Sequence, residues 1–129
     1  MPRILIVDDT DFDRNLLRNI LLSAGYAIAG AATGGIEGVQ MYQDLIPDLV
    51  MVDLIMPDLN GIEVLRQIRD GAPDAKVMIC TTVGNTAMVE LSRRLGARGY
   101  VVKPYQAVTL INAVKRVIGP PDNTPPLPW

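Results

Sequence analysis

The sequence has no histidine, one cysteine, one phenylalanine and one tryptophan among its 129 residues. Without an imidazole the chain cannot by itself build a histidine zinc site, a Ser/His/Asp triad or a phosphohistidine, so such chemistry has to come from a partner. One thiol excludes an internal disulfide. Cys80 lies in an apolar run, where a buried, unreactive cysteine is expected, and this usage suits a reducing compartment. Neither charge is in large excess. Twelve Lys and Arg stand against fourteen Asp and Glu, which leaves no basic surplus to neutralise phosphate backbones and disfavours direct nucleic-acid binding. Long apolar runs are also missing. MPRILIVDD is too short for a signal-peptide core, and no run approaches the roughly 18 apolar residues of a membrane span. A cytoplasmic protein without membrane insertion is expected.

The residues present are 49% hydrophobic and 20% charged, which fits one compact domain with a core of its own. Apolar, β-rich runs recur at Ile4 to Val7, Ala27 to Ala32, Leu49 to Val52, Val77 to Cys80 and Tyr100 to Val102. None alternates with polar residues, the pattern of parallel strands buried on both faces. Helical spacing follows each run: Leu16, Leu17, Ile20, Leu21 and Ala24; Ile36, Val39, Tyr42 and Leu45; Ile62, Leu65 and Ile68; Met88, Leu91 and Leu95; and Ala107, Leu110, Ile111, Val114, Val117 and Ile118. Gly25, Gly71 and Gly96 end the first, third and fourth patterns, and Pro47 and Pro120 limit the second and fifth. Gly34, Gly35 and Gly38 weaken the second helix. Strict strand–helix alternation predicts a doubly wound α/β domain over residues 1–119. Residues 120–129, with their many prolines, read as a tail or linker. Pro125 to Pro128 has the spacing of a polyproline ligand, and Trp129 could dock back on the domain.

Ligands of open α/β sheets bind beyond the carboxyl ends of the strands. There the first strand presents Asp8 and Asp9, the third Asp53, the fourth Thr81 and Thr82, and the fifth Lys103 followed by Pro104. Each has an ordinary reading by itself. Asp9 or Asp11 could cap a helix, Asp53 could belong to a turn before Pro57, Thr81 could be a plain strand residue and Lys103 a surface lysine. Together at one sheet edge they are harder to explain as accidents. Three nearby aspartates repel one another unless some are protonated or a cation joins them. With oxygen ligands alone, Mg²⁺ is favoured over zinc. Asp53 is then placed as a carboxylate nucleophile able to form an aspartyl phosphate, with Lys103 supplying a point charge and Thr81 a hydroxyl.

The motifs LIVDD, MVDLIMPDLNG, a strand ending in Thr81, and GARGYVVKP occur in an order and spacing that resemble the receiver domain of two-component response regulators, of the single-domain, CheY-like chemotaxis type. The resemblance runs from about Ile4 to Ile118. It implies the strand order 2-1-3-4-5, which this family and flavodoxin themselves exemplify, in a three-layer sandwich. It implies that Asp53 accepts phosphate from a phosphohistidine on a sensor histidine kinase or a phosphotransfer protein. Asp9 would bind Mg²⁺ directly and Asp8 more through water, with Asp53 and the carbonyl of Ile55 completing the protein ligands. Thr81 and Lys103 would hold phosphoryl oxygens, Pro104 would follow a cis peptide bond, and Tyr100 matches the aromatic switch position that moves with Thr81. The surface of helix four, strand five and helix five, here including Met88, Glu90, Arg94, Tyr100, Tyr105 and Gln106, would carry the signal to a downstream protein target. Arg14, Leu17 and Arg18 of the first helix are candidate kinase contacts by the same analogy.

The chain also departs from the family pattern. Ile55 and Val83 stand where many receivers place polar side chains near the hydrolytic water, which predicts slow autodephosphorylation. Thr82 stands where the family often has Ala or Gly, which would narrow access for phosphodonors. The acidic pair common before Tyr100 in dimerising regulators is missing, so a monomer is expected. The protein would promote only its own phosphorylation and dephosphorylation. Other classes fit less well: a haloacid dehalogenase-type phosphohydrolase needs an aspartate at position 55, and a flavin carrier would find its phosphate repelled by Asp8 and Asp9. A receiver cut from a larger regulator, or one that acts without phosphorylation, remains the alternative.

Overall fold

The computed structural model describes residues 2–121. Ten elements alternate without exception: β1 (Arg3–Val7), α1 (Asp11–Ser23), β2 (Ala27–Ala32), α2 (Gly35–Leu45), β3 (Leu49–Asp53), α3 (Gly61–Gly71), β4 (Val77–Thr82), α4 (Thr86–Arg94), β5 (Gly99–Lys103) and α5 (Ala107–Ile118). The strands form one parallel sheet in the order β2-β1-β3-β4-β5, as the resemblance implies. The expectations for Pro125 to Pro128 and Trp129 lie outside the described residues.

Two hydrophobic layers flank the sheet. Leu5, Val7, Val50, Val52, Val77 and Ile79 point to the face covered by α2 and α3, and Ile4, Ile6, Leu49, Met51, Met78 and Cys80 to the face covered by α1 and α5. This is the period-2 alternation of a strand with an apolar residue on both sides. It holds for β1, β3 and β4. The edge strands differ from expectation: β2 is mostly half-buried, and β5 exposes Tyr100 and Val102 while burying Val101. An edge strand has a neighbour on one side only, so its flanks stay open.

Two helices are rotated relative to the apolar spacing. Ile36, expected on the inner face of α2, is exposed, and the buried positions are Gly35 and Gly38. A methyl group at Gly38 would lie 2.7 Å from Val7 Cγ1, so the glycines let α2 lie close against β1. In α4, Met88 and Leu91 are exposed while Ser92 is buried, donating its hydroxyl to the Val89 carbonyl at 2.7 Å. Gly25 and Gly96 adopt the left-handed conformation that ends α1 and α4. Gly71 instead is the last residue of α3, with Ala72 as its cap.

The two helical glycines give opposite expectations. Gly38→Ala should destabilise the fold by about 1–3 kcal/mol, because the branched Val7 side chain cannot yield to the added methyl. Gly71→Ala meets nothing within 4 Å and should stabilise it by up to about 1 kcal/mol through helix propensity alone. Urea unfolding of both variants measures this, and a stabilising Gly38→Ala would contradict the packing.

Candidate functional site

The sheet delivers its polar residues to one edge. Asp8 and Asp9 follow β1, Asp53 ends β3, Thr81 lies near the end of β4, and Lys103 ends β5. Register keeps them level: Asp53 pairs with Cys80, and Thr82 with Lys103. Asp8, Asp9 and Asp53 each place a carboxylate oxygen within 4.8 Å of the other two. Asp8 is buried, Asp53 half-buried and Asp9 exposed.

Lys103 reaches into this group. Its Nζ lies 2.9 Å from Asp8 Oδ2, 3.0 Å from Asp13 Oδ2 and 3.5 Å from Asp53 Oδ2, with 10% of its side chain exposed. Burial alone would lower the lysine's proton affinity. The hydrogen bonds to Asp8 and Asp13 and the charge of Asp53 outweigh it, so the ammonium titrates above its ordinary range. Asp53 is shifted the other way. Burial pushes its pKa up to about 6, with Lys103 pulling it down and the negative charge of Asp8 adding to the rise.

The sequence expectations for this edge fare differently in detail. Thr81 is buried, and its hydroxyl donates to the Thr82 carbonyl at 3.2 Å while accepting from Asn85 Nδ2 at 2.9 Å. Tyr100 is 53% exposed. The Lys103–Pro104 peptide is cis. Ile55 and Val83 are both exposed at the rim. Neither Asp9 nor Asp11 caps α1: Thr10 is the N-cap, its N–H donates to Asp8 Oδ1 at 2.9 Å, and Asp11 pairs with Arg14. Leu17 is buried in the core, which removes it from the candidate kinase contacts; Arg14 donates to the Asp8 carbonyl at 2.8 Å, and Arg18 remains exposed. Tyr105 also turns inward. Its hydroxyl is buried near Cys80 without a hydrogen-bond partner among the described residues, and burial raises its pKa. Cys80 is buried as expected, and its thiol pKa is pushed up to about 12 by desolvation, so it is unreactive at neutral pH.

Three residues were not singled out by sequence. Asp13 holds Lys103, Asn85 ties Thr81 to the β4–α4 loop, and Asp58 accepts from the Gly35 and Ile36 amides at 3.0 Å each. Those amide bonds lower the Asp58 pKa. An Asn one residue before a helical pattern suggests a cap, but Asn85 turns its side chain back toward Thr81 and leaves α4 uncapped. Nothing in the spacing distinguishes Asp13 from an acidic residue favouring the α1 N-terminus.

The molecule is thus a flavodoxin-like α/β protein whose acidic crevice opens at the carboxyl edge of the sheet. The response regulator receiver domain family matches residues 4–115, and the chain belongs to that family of signalling proteins, in its CheY-like form. It is 42% identical over 115 residues to the chemotaxis protein CheY of Thermotoga maritima, covering 89% of this chain and 96% of that protein. With CheY of Halobacterium salinarum it shares 39% over 116 residues, covering 90% and 96%. Among solved structures it is similar to the CheX–CheY–BeF₃–Mg²⁺ complex from Borrelia burgdorferi, with a TM-score of 0.86, 31% identity, and coverage of 89% and 87%. Among the described residues no helix is long and apolar enough to cross a membrane.

The raised Asp53 pKa has a consequence for stability without divalent cations. Its folded value of about 6 lies above the ordinary 3.8, so the folded state retains a proton that the unfolded chain gives up. The resulting stabilisation is complete below about pH 4 and is lost as pH rises through about 6. Relative to Asp53→Asn, the wild type should lose about 3 kcal/mol across this window, measured by chemical unfolding in chelator. Parallel pH profiles for the two proteins would contradict the shift.

Proposed function

We propose that this chain is the phosphoacceptor of a two-component relay, with Asp53 taking the phosphoryl group. One observation carries the reading: three carboxylates converge within 4.8 Å while the Lys103 ammonium stands 3.5 Å from Asp53. The receiver is assigned to residues 1–119, and the proline-rich residues 120–129 follow it in the sequence. The donor set is all hard oxygen and includes three carboxylates, which fits Mg²⁺ held by Asp8, Asp9, Asp53 and the Ile55 carbonyl. When bound, the ion supplies charge that offsets the negative oxygens of an entering phosphoryl group.

The residues then divide the work. The Asp53 carboxylate attacks phosphorus in line with the leaving group, and the P–N bond of a phosphohistidine breaks with its electron pair passing to the imidazole, which takes up a proton. Because this chain has no histidine, the donor belongs to a sensor histidine kinase or phosphotransfer protein. Lys103 meets one phosphoryl oxygen. Thr81 meets another once its hydroxyl stops donating to the Thr82 carbonyl, and Tyr100 moves inward with it. Those contacts exist in one packing only, which is what shifts a two-state equilibrium.

Exposed Met88 and Arg94 of α4 with half-buried Glu90 beside them, exposed Tyr100 of β5 and exposed Gln106 present the face for a downstream protein target. A cavity of about 390 Å³ opens between α4 and β5 beside Tyr100. Tyr105 is not part of this face, because its hydroxyl end is buried. The protein acts as a cytoplasmic monomer and switches partners rather than turning over a substrate.

Acetyl phosphate should add one phosphoryl mass to the intact protein only when both Mg²⁺ and Asp53 are present. An adduct on Asp53→Asn, or one formed equally in chelator, would reject the reading. The adduct should also be long-lived, since Ile55 and Val83 offer no polar group to position water. Ile55→Asn should shorten its lifetime by about tenfold, less than the roughly hundredfold or more of a true general base, because an amide orients water without taking its proton. An unchanged decay would remove the apolar rim as its cause.

A further inference from the structure

An ammonium has three N–H donors, and each of those on Lys103 has a carboxylate oxygen nearby: Asp8 Oδ2 at 2.9 Å, Asp13 Oδ2 at 3.0 Å and Asp53 Oδ2 at 3.5 Å. The two shorter contacts hold the ammonium, and Asp53 is its loosest partner. Asp13 lies in the first turn of α1, outside the three-carboxylate cluster. Its side chain is 27% exposed against 2% for Asp8, and among the described residues Lys103 is its only ion-pair partner.

We propose that Asp13 is a positioning residue that competes with the phosphoryl group for Lys103 and so sets how tightly the crevice holds phosphate. The proposal rests on the phosphoacceptor reading. Asp13 offsets part of the lysine's charge and aims one of its donors away from Asp53. Phosphoryl oxygens on Asp53 need that same ammonium, and they obtain it at the expense of the Asp13 contact.

Removing the Asp13 charge therefore has two effects of opposite sign. Lys103 has one competitor fewer, so a phosphoryl-like anion binds more tightly. The crevice also loses a negative charge near its cation ligands, so a divalent cation alone binds more weakly. A purely structural Asp13, acting through the seating of α1, would weaken both.

Calorimetric titration of the full chain separates these cases, first with Mg²⁺ alone and then with beryllofluoride at saturating Mg²⁺. In Asp13→Asn the Mg²⁺ affinity should fall and the beryllofluoride affinity should rise, each by about twofold to fivefold, the range of a partly exposed ion pair. Asp13→Ala should show the same pair of shifts, and Asp13→Glu, which keeps the charge, should retain the wild-type Mg²⁺ affinity. Unchanged beryllofluoride affinity in both uncharged variants, or a joint loss of both ligands, overturns the proposal and leaves the phosphoacceptor reading standing. Failure of beryllofluoride to bind the wild type overturns both.

Discussion

The Lys103 ammonium, nearly buried with three carboxylates within 3.5 Å, is the interaction on which the rest of the site depends. Withdrawing a lysine from water costs several kcal/mol unless charges and hydrogen bonds replace the lost hydration. Here Asp8, Asp13 and Asp53 replace it. With Asp9 included, four carboxylates gather around Lys103, while the neighbouring Arg14 is taken up by Asp11 and the Asp8 carbonyl. Burial, with the charge of Asp8 adding to it against the pull of Lys103, carries the Asp53 pKa toward 6, and the oxygen cluster suits a divalent cation. The parallel sheet enforces the arrangement. Asp8 and Asp53 follow or end strands with buried, apolar interiors, so neither can move away without disturbing buried registry, and Lys103 ends the adjoining edge strand β5.

The two walls of the crevice are held in different ways. The β3–α3 wall is tied by backbone and cap: the Gly61 amide donates to the Leu54 carbonyl at 2.8 Å, Asn60 caps α3, and Asp58 binds the first amides of α2. A methyl group at Gly61 would lie 2.5 Å from the Asp53 carbonyl, so that loop follows β3 at the closest approach the backbone allows. The β4–α4 wall depends instead on the side chain of Asn85, which bonds Thr81 and Thr82 across an exposed turn containing Val83 and Gly84. A rigid wall beside the acceptor and an adjustable wall beside the hydroxyl suit a site that couples local charge to a distant surface.

Most of the fold was readable because apolar runs of three to six residues alternating with helical spacing admit few arrangements. The strand-end residues Asp8, Asp9, Asp53, Thr81 and Lys103 were readable for the same reason, since strand order brings their positions together whatever the side chains do. Asp13, Asn85 and Asp58 were not, because their roles depend on the rotation of α1 and on loop paths that no periodicity encodes. Helix rotation also misled. Ile36 matched the apolar spacing of α2 but lost the inner face to Gly35 and Gly38, where close approach to Leu59 and to Val7 mattered more than hydrophobicity. Leu17 and Tyr105 were assigned to surfaces by analogy, whereas their own packing carries them into the core beneath α1 and α5.

The central claim is that charge balance in the crevice governs the packing of Thr81 and Tyr100. It is tested most directly by side-chain NMR of Thr81, Asn85 and Tyr100 before and after phosphorylation by a small-molecule donor with Mg²⁺. The account predicts that the Thr81 hydroxyl leaves the Thr82 carbonyl, that Asn85 shifts with it, and that the exposed Tyr100 ring becomes protected from solvent. Changes confined to the neighbours of Asp8, Asp9 and Asp53, with Asn85 and Tyr100 unmoved, would contradict it.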